Sequence, residues 1–258
     1  SAKKLISEKI GACSDINLFL CGMLKNAGII ATPVIISTRD HGKIKYDYPY
    51  LHFFNYPIVM AQLDSVNMLL DATDPFCPYN LLPEKCLNDK GLVVVKQSDS
   101  FIDLAQKKQS NIKKTFKINL NENSDSLEIS YNELCTNYDA IELRKIYEGK
   151  YSNIEKYIAN KEFALIDSVK IDNYLNLDEP IALNCNVKSE IERINNKIYI
   201  SPFFNEPISI NPFKQLSRSY PIDMEYKKNR QFFAEVIIPE GYKVEYIPTN
   251  NESKNNLV

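Results

Sequence analysis

A cysteine stands where the sequence predicts the start of an amphipathic helix. Ser14 and Asp15, which directly follow Cys13, are residue types that cap helix N-termini. Apolar residues then recur at three- and four-residue spacing as far as position 27, which is the spacing of one helical face. Gly28 can adopt the left-handed conformation that ends a helix without a Cβ clash. The pattern predicts a helix over residues 14–27, with Cys13 at its N-terminus.

The position of Cys13 allows two interpretations. The positive end of the helix dipole favours the thiolate, which is the nucleophilic form of cysteine. A small hydrophobic residue packed in the first turn would suit the same position, and most cysteines are packing residues. Leu18 and Cys21 add apolar side chains to a second face, so we expect the helix to be buried on most sides. The helix by itself therefore favours packing over catalysis.

Composition excludes several classes of function. The chain has 258 residues, enough for one large or two ordinary domains, and 44% of them are hydrophobic. A net charge of −2 and a pI of about 5.8 give no general attraction to nucleic acid or anionic lipid. The sequence has no run of about eighteen apolar residues, so we expect no membrane-spanning segment.

The cysteines and carboxylates do not form a recognisable metal site. Six cysteines are too few for a disulfide scaffold, and no two of them form a CxxC pair of the kind that holds structural zinc. Cys77 and Cys86 flank a proline-rich loop; they could form a disulfide or be two unrelated thiols, and the sequence leaves both open. Asp64, Asp74 and Glu84 lack the spacing of metal ligands. We therefore expect no bound metal and no cofactor.

Short β-branched and apolar runs follow the predicted helix. Residues 31–38 are a predicted strand, and residues 57–63 and 66–72 form a predicted hairpin that turns at Asp64 and Ser65. One helix followed by a set of antiparallel strands is an α+β arrangement.

A change of composition divides the chain. Residues 98–114 are polar and basic, which is typical of a solvated linker, and we place a domain boundary there. The predicted domains are residues 1–110 and 111–258. The second contains one or two predicted helices over residues 138–159, interrupted near Gly149, among several short strands. Strands at this spacing indicate a mostly-β, sandwich-like domain.

Four stretches of the first domain together resemble the bacterial transglutaminase-like superfamily. They are GACSD at residues 11–15, PVIISTRDHG at 33–42, FNY at 54–56 and LLDATDP at 69–75. The later stretch LLPEKCLN at 81–88 also fits this resemblance. They occur in the order that this family has. The second domain, with residues 211–213 and 239–245, is similar to the β-rich domain of unknown function that follows this module in large bacterial envelope proteins.

The resemblance implies a papain-like helix packed on an antiparallel sheet and acyl-transfer chemistry. In that chemistry a thiolate attacks an amide carbonyl, a histidine moves the protons and an aspartate orients the histidine. Cys13 matches the nucleophile and Asp71 matches the orienting carboxylate. The position of the histidine, directly after Phe54 and Asn55, holds Tyr56.

A tyrosine cannot replace this histidine as a proton shuttle, because its hydroxyl ionises near pH ~10 and stays protonated at neutrality. The chain has two histidines, and His52 precedes Tyr56 by a length of extended strand of roughly 13 Å. We expect neither His52 nor His41 to take over. The resemblance therefore predicts a catalytically degenerate module that binds or assembles with other molecules. The alternatives are an active amidase, peptidase or transglutaminase that uses Cys13 with another proton acceptor, and a structural spacer.

Aromatic residues around this position allow a binding groove. They are Tyr46, Tyr48, Tyr50, Phe53, Phe54 and Tyr56. With His52, Phe54 and Asn55 as candidate binding residues, such a groove would take an extended peptide, a protein or a glycan. Aromatic residues at this density more often pack in a core or hairpin. The resemblance further implies an extracytoplasmic location, in the periplasm or cell envelope, and a fragment that lacks the last strands of its second domain.

Overall fold

The computed structural model is a mixed α+β protein with two large sheets. It describes residues 2–47, 50–64, 66–96, 100–105, 108–120, 126–161, 163, 165–204, 206, 214, 217, 219 and 222–254. Its helices are α1 (Ala2–Glu8), α2 (Cys13–Asn26), α3 (Asn137–Tyr147) and α4 (Tyr151–Ala159), with short 3₁₀ turns at Leu51–Phe53 and Glu84–Cys86. Within these ranges, no helix combines the length and the hydrophobicity that crossing a bilayer requires.

Five antiparallel strands form the first sheet. They are β1 (Ile30–Ile36), β2 (Tyr56–Leu63), β3 (Val66–Leu70), β4 (Lys90–Val93) and β5 (Phe101–Asp103), in the order β3-β2-β1-β4-β5. The pairing of β2 with β3 confirms the hairpin predicted from residues 57–63 and 66–72. Asp64 in its turn has a positive φ of 46°, which the short side chain of aspartate tolerates. Ser65, the other predicted turn residue, lies outside the described residues.

Helix α2 packs across β1 and β2 and begins at Cys13. The predicted helix is therefore confirmed, with its start one residue earlier than expected. Asn17 and Cys21 are its buried residues, whereas Leu18 and Met23 are 50% and 49% exposed. The expectation that α2 is buried on most sides is wrong, because a helix that covers one face of a sheet keeps its other side in solvent.

The second sheet also has five strands. They are β6 (Ser110–Leu120), β7 (Ser126–Cys135), β8 (Leu165–Asp172), β9 (Ile181–Glu190) and β12 (Lys228–Ile237), in the order β12-β6-β7-β9-β8. All neighbours are antiparallel except β12 and β6, which are parallel. The strands β10 (Glu192–Ile194) and β11 (Lys197–Tyr199) form a separate antiparallel ribbon.

Helices cover one face of the second sheet. Phe116 and Ile118 of β6 share a core with Leu143 of α3 and with Ile154 and Ile158 of α4. We refer to this covered face as the inner face and to the opposite one as the outer face. The described residues therefore show a sheet with a helical layer, where the sequence predicted a sandwich-like pair of sheets. The apolar stripes of α3 and α4 occupy the surface on which a second sheet would pack.

The break between α3 and α4 confirms the interruption predicted near Gly149. Glu148 and Gly149 both have positive φ values, of 45° and 73°. The backbone N–H of Glu148 donates to the carbonyl of Arg144, which ends α3 in the left-handed conformation typical of a helix C-terminus.

Packing crosses the predicted boundary at residue 110, which falls at the start of β6. Tyr138 and Ile141 of α3 belong to the core of the first half, together with Tyr226. The ring of Tyr138 stacks on that of Tyr226 at 4.2 Å between centroids, and its hydroxyl donates to the carbonyl of Leu82 at 3.0 Å. The division into domains 1–110 and 111–258 stays a prediction.

Gly91→Ala should destabilise the protein, because a Cβ on Gly91 would lie 2.6 Å from Val34 Cγ1 and 2.8 Å from Ile36 Cγ2. Overpacking of this kind lowers the free energy of unfolding by about 1–3 kcal/mol. Gly22→Ala is the matched control: Gly22 lies inside α2 with no neighbouring atom within 4 Å of a built Cβ, and alanine there should stabilise by about 0.5–1 kcal/mol. Urea denaturation followed by circular dichroism measures both variants, and equal midpoints would contradict the close packing around Gly91.

Candidate functional site

The structure brings the predicted catalytic positions to one end of the first sheet. Cys13 is the first residue of α2, Tyr56 is the first residue of β2, and Asp71 directly follows β3. Cys13 packs against the apolar core cluster that contains Tyr56. We refer to Cys13, Tyr56 and Asp71, with the hydrogen-bonding residues Asn17 and Thr73, as the Cys13 site.

Three hydrogen bonds hold the carboxylate of Asp71. The side-chain amide of Asn17 donates to Oδ2 at 2.8 Å. The backbone N–H and the hydroxyl of Thr73 donate to Oδ1 at 2.8 Å and 2.6 Å. The carboxylate is buried, so these donors replace the water that would otherwise solvate it. Asp71 is therefore satisfied without an imidazole.

Asn17 is a site residue that sequence reasoning missed. Besides its bond to Asp71, its Nδ2 donates to the carbonyl of Pro57 at 2.8 Å, and its Oδ1 accepts from the backbone N–H of Ala72 at 2.9 Å. It lies one turn after Cys13 on the same face of α2 and is completely buried. A polar residue on the apolar face of a helix, one turn from a candidate nucleophile, was the signal that could have found it.

The hydroxyl of Tyr56 is hydrogen-bonded to that of Thr73, which is hydrogen-bonded in turn to the carboxylate of Asp71. Its side chain is 7% exposed, and its oxygen lies 2.6 Å from Thr73 Oγ1. Because Thr73 donates its single hydroxyl proton to Asp71, the Tyr56 hydroxyl must donate to Thr73. Burial raises the pKa of Tyr56, and the charge of Asp71 raises it further. The phenol is therefore a permanent proton donor in this site at neutral pH.

The edge of this site carries a cation. The ammonium of Lys85 lies 4.5 Å from the centroid of the Tyr56 ring, in a cation–π arrangement. Lys85 belongs to the 3₁₀ turn at Glu84–Cys86. The Lys85 ammonium therefore covers one face of the Tyr56 ring.

The two histidines make their described contacts with each other and with Tyr50 and Phe53. His52 is exposed in the 3₁₀ turn Leu51–Phe53, where its ring lies 5.7 Å from the ring of Tyr50 and 4.1 Å from that of Phe53. His41 Nε2 lies 3.0 Å from the carbonyl oxygen of His52. Among the described residues, no hydrogen bond joins either ring to Asp71.

The described aromatic residues of this stretch make separate sets of contacts. Tyr46 packs edge-on against Phe101 at 5.3 Å between centroids, Tyr50 stacks on His52, the ring of Phe53 is tilted against His52, and Tyr56 lies in the core. Tyr48 lies outside the described residues.

Asn55, a candidate binding residue, is engaged within the fold. Its Nδ2 donates to Thr38 Oγ1 at 2.7 Å, and its Oδ1 accepts from the Thr38 backbone N–H at 2.9 Å. Its own backbone N–H donates to the carbonyl of Ile36 at 3.1 Å. These contacts fix the start of β2 beside the end of β1. The neighbouring Phe54 is half-buried.

Cys13 differs from the other cysteines in its exposure. All six are free thiols, and Cys13 alone is partly exposed while the others are buried. The disulfide left open for Cys77 and Cys86 is not formed. Burial raises the pKa of Cys77 to about 12 and also raises that of Cys86, to which the nearby Asp71 contributes. Among the described residues, no group of three or more His, Cys, Asp or Glu side chains has the geometry of a metal site.

A cavity of about 210 Å³ lies on the inner face of the second sheet, away from the Cys13 site. Buried charges border it. The ammonium groups of Lys114 and Lys161 each lie 2.5 Å from the carboxylate of Glu206, and Lys114 lies 3.4 Å from Glu133. The hydroxyl of Tyr157 donates to Glu133 at 2.9 Å. In the part of the chain that the structure describes, every buried side-chain nitrogen and oxygen has a partner.

Asn17→Ala should lower the free energy of unfolding by about 2–4 kcal/mol, because it removes three hydrogen bonds and leaves a buried carboxylate with fewer donors. Asn26→Ala, at an exposed position of the same helix, is the matched control and should stay within about 0.5 kcal/mol of the parent. Urea denaturation measures both. Equal effects of the two substitutions would show that the Asn17 amide does not hold the site together.

Comparison with family models finds a similarity over part of the second half. Residues 196–258 match a family model described as "Domain of Unknown Function with solved-structure structure (DUF3858)". The match covers 63 of the 258 residues and includes β11 and β12. No curated protein and no solved structure matches the chain. The chain is thus multidomain in character and β-rich, and it is similar over its last part to a domain of unknown function.

Proposed function

We propose that the first half is a catalytically degenerate transglutaminase-like module with a papain-like arrangement of helix and sheet. A cysteine begins the helix, and an aspartate follows the strand beside it, as the resemblance requires. Tyr56 stands at the start of β2 in place of the histidine. The module would act as a binding or assembly unit in an extracytoplasmic protein of the bacterial envelope.

The observation that carries this proposal is the chain from Tyr56 through Thr73 to Asp71. Acyl transfer needs a group that accepts the proton of the thiol and returns it to the leaving group at neutral pH. The Tyr56 phenol cannot accept a proton, and burial makes it a weaker acid than free tyrosine. Asp71 is already occupied by Asn17 and Thr73. The site therefore has a nucleophile without a base.

An active thiol enzyme is the second candidate, and the exposure of Cys13 favours it. The other five cysteines are buried, whereas this one lies at a helix N-terminus within reach of solvent. Catalysis would then need a proton acceptor other than the two histidines. For the degenerate module, the same exposure leaves a surface beside Cys13 where an extended peptide, a protein or a glycan would bind.

Tyr56→His should create hydrolysis of amide bonds that the parent lacks. An imidazole at this position supplies a group that accepts and donates protons near neutrality, and general acid–base catalysis contributes about 10²-fold or more. Release of dye from fluorescein-labelled casein measures the activity. Tyr56→Phe is the matched control, since it removes the phenol hydroxyl without adding a base, and it should stay inactive.

The activity must depend on the thiol, so adding Cys13→Ala to Tyr56→His should abolish it. Hydrolysis by the parent that is lost in Cys13→Ala would overturn the proposal in favour of the active enzyme. A folded Tyr56→His variant without any activity would leave the Cys13 site as part of a structural spacer.

Iodoacetamide should modify the folded protein once, at Cys13, because the other five cysteines are buried. Intact mass spectrometry should show one adduct before denaturation and one for each of the six cysteines after it. Cys13→Ser is the control and should give no adduct in the folded state. An unmodified parent would show that the surface beside Cys13 is closed, which would argue against binding there.

A further inference from the structure

The outer face of the second sheet carries all six asparagines of its five strands. The alternation of side chains along each strand assigns them to this face, since Phe116 and Ile118 of β6 point inward. The six are Asn111, Asn119, Asn132, Asn184, Asn186 and Asn229. Asparagine is depleted in β-strands, so strand propensity does not account for six of them on one face.

Two hydrogen-bonded rows of side chains cross this outer face. In the first row, Asn132 Nδ2 donates to Asn184 Oδ1 at 2.7 Å, and Asn184 Nδ2 donates to Asp172 Oδ2 at 3.1 Å. The row therefore runs from β7 through β9 to β8, and each amide donates its hydrogen bond to the next strand in that order.

The second row has the same direction. Ser130 Oγ donates to Asn186 Oδ1 at 3.0 Å, and Asn186 Nδ2 donates to Ser168 Oγ at 3.1 Å. The two rows lie two residues apart on β7 and β9, about 7 Å, and four residues apart on β8, with about 4.8 Å from one strand to the next. Polar side chains thus form a hydrogen-bonded array across three neighbouring strands of the sheet.

Among the described residues, the array keeps hydrogen-bonding capacity that no protein group uses. The contacts above use one N–H and one lone pair of the amides of Asn184 and Asn186, and a primary amide has two of each. The side chains are held in place before any partner arrives, which lowers the entropic cost of binding. Each of these amides therefore offers both a donor and an acceptor at a fixed position.

Charges on the outer face balance, so it offers no excess of either sign. By register its lysines are Lys113, Lys117, Lys170 and Lys188, and its carboxylates are Glu128, Asp172, Glu190 and Glu235. Lys170 lies 2.8 Å from Asp172, and Lys188 lies 3.8 Å from Glu128. A polyanion would need a basic surface. A bound peptide strand would use the backbone groups of a sheet edge and not a sheet face. The matching partner is neutral and rich in hydroxyl groups.

An exposed aromatic ring completes the surface. Phe233 of β12 is 49% exposed and pairs in register with Thr115 of β6, which places it on the outer face. The ammonium of Lys113 lies 5.1 Å from its centroid. The negative face of an aromatic ring attracts C–H groups, such as those on the apolar face of a sugar ring.

We propose that the outer face of the second sheet binds a neutral polysaccharide, with the rows of asparagine and serine contacting sugar hydroxyls and Phe233 stacking on a sugar ring. This surface is separate from the Cys13 site and does not depend on the function proposed for it.

Titration of ¹⁵N-labelled protein with neutral hexasaccharides of glucose, mannose, galactose or N-acetylglucosamine tests the proposal. At least one of them should shift the side-chain amide signals of Asn132, Asn184 and Asn186 in a saturable manner. Heparin and a serine- and asparagine-rich hexapeptide are the charged and peptide comparisons. Failure of every neutral saccharide to shift these signals, or shifts with heparin or the peptide alone, would overturn the proposal.

Matched variants separate this surface from the rest of the chain. Replacing Asn132 and Asn184 together by alanine should weaken saccharide binding by about tenfold or more, because it removes two adjacent amides of the first row. Asn26→Ala, on α2, should leave it unchanged. Phe233→Ala should also weaken it, whereas Tyr79→Ala, which removes another exposed ring, should not. Equal affinities for all of these variants would place binding elsewhere and overturn the proposal.

Discussion

The buried side-chain amide of Asn17 is the contact on which the first half depends. It joins α2 to β2 through the carbonyl of Pro57 and to the end of β3 through Asp71 and Ala72. A carboxylate placed in an apolar core without donors would be strongly destabilising. Asp71 is tolerated there because Asn17 and Thr73 donate to both of its oxygens. Helix, hairpin and carboxylate are therefore fixed by one hydrogen-bonded unit.

The same unit explains how a triad-like carboxylate can stand without a histidine. Asp71 needs hydrogen-bond donors because it is buried, and Asn17 and Thr73 supply them from within the fold. Tyr56 adds its hydroxyl to this unit as a donor to Thr73. Burial raises the pKa of Tyr56 and keeps the phenol neutral, so this hydroxyl does not accept protons near neutrality.

Local patterns in the sequence predicted individual helices and hairpins, but they did not predict contacts between distant segments of the chain. The helix that starts at Cys13 and the hairpin of β2 and β3 follow from periodicity and turn residues. The parallel pairing of β12 with β6 joins segments more than a hundred residues apart, which no local pattern encodes. Cys13, Tyr56 and Asp71 were predicted from motifs. Asn17 and Thr73 were missed, because their role arises only when helix and hairpin meet.

The two faces of the second sheet show why buried charge alone does not mark a binding site. On the inner face, burial by itself would raise the pKa of Glu206, but Lys114 and Lys161 outweigh it and lower the pKa. Glu206, Lys114 and Lys161 are already paired with one another, so a ligand entering the adjacent cavity would have to break existing ion pairs. On the outer face, hydrogen bonds to neighbouring side chains hold the amides of Asn184 and Asn186 in place, and each amide keeps one further donor and one further acceptor. A partner there would replace water without breaking a hydrogen bond within the protein, which is the physical reason for proposing recognition at the outer face.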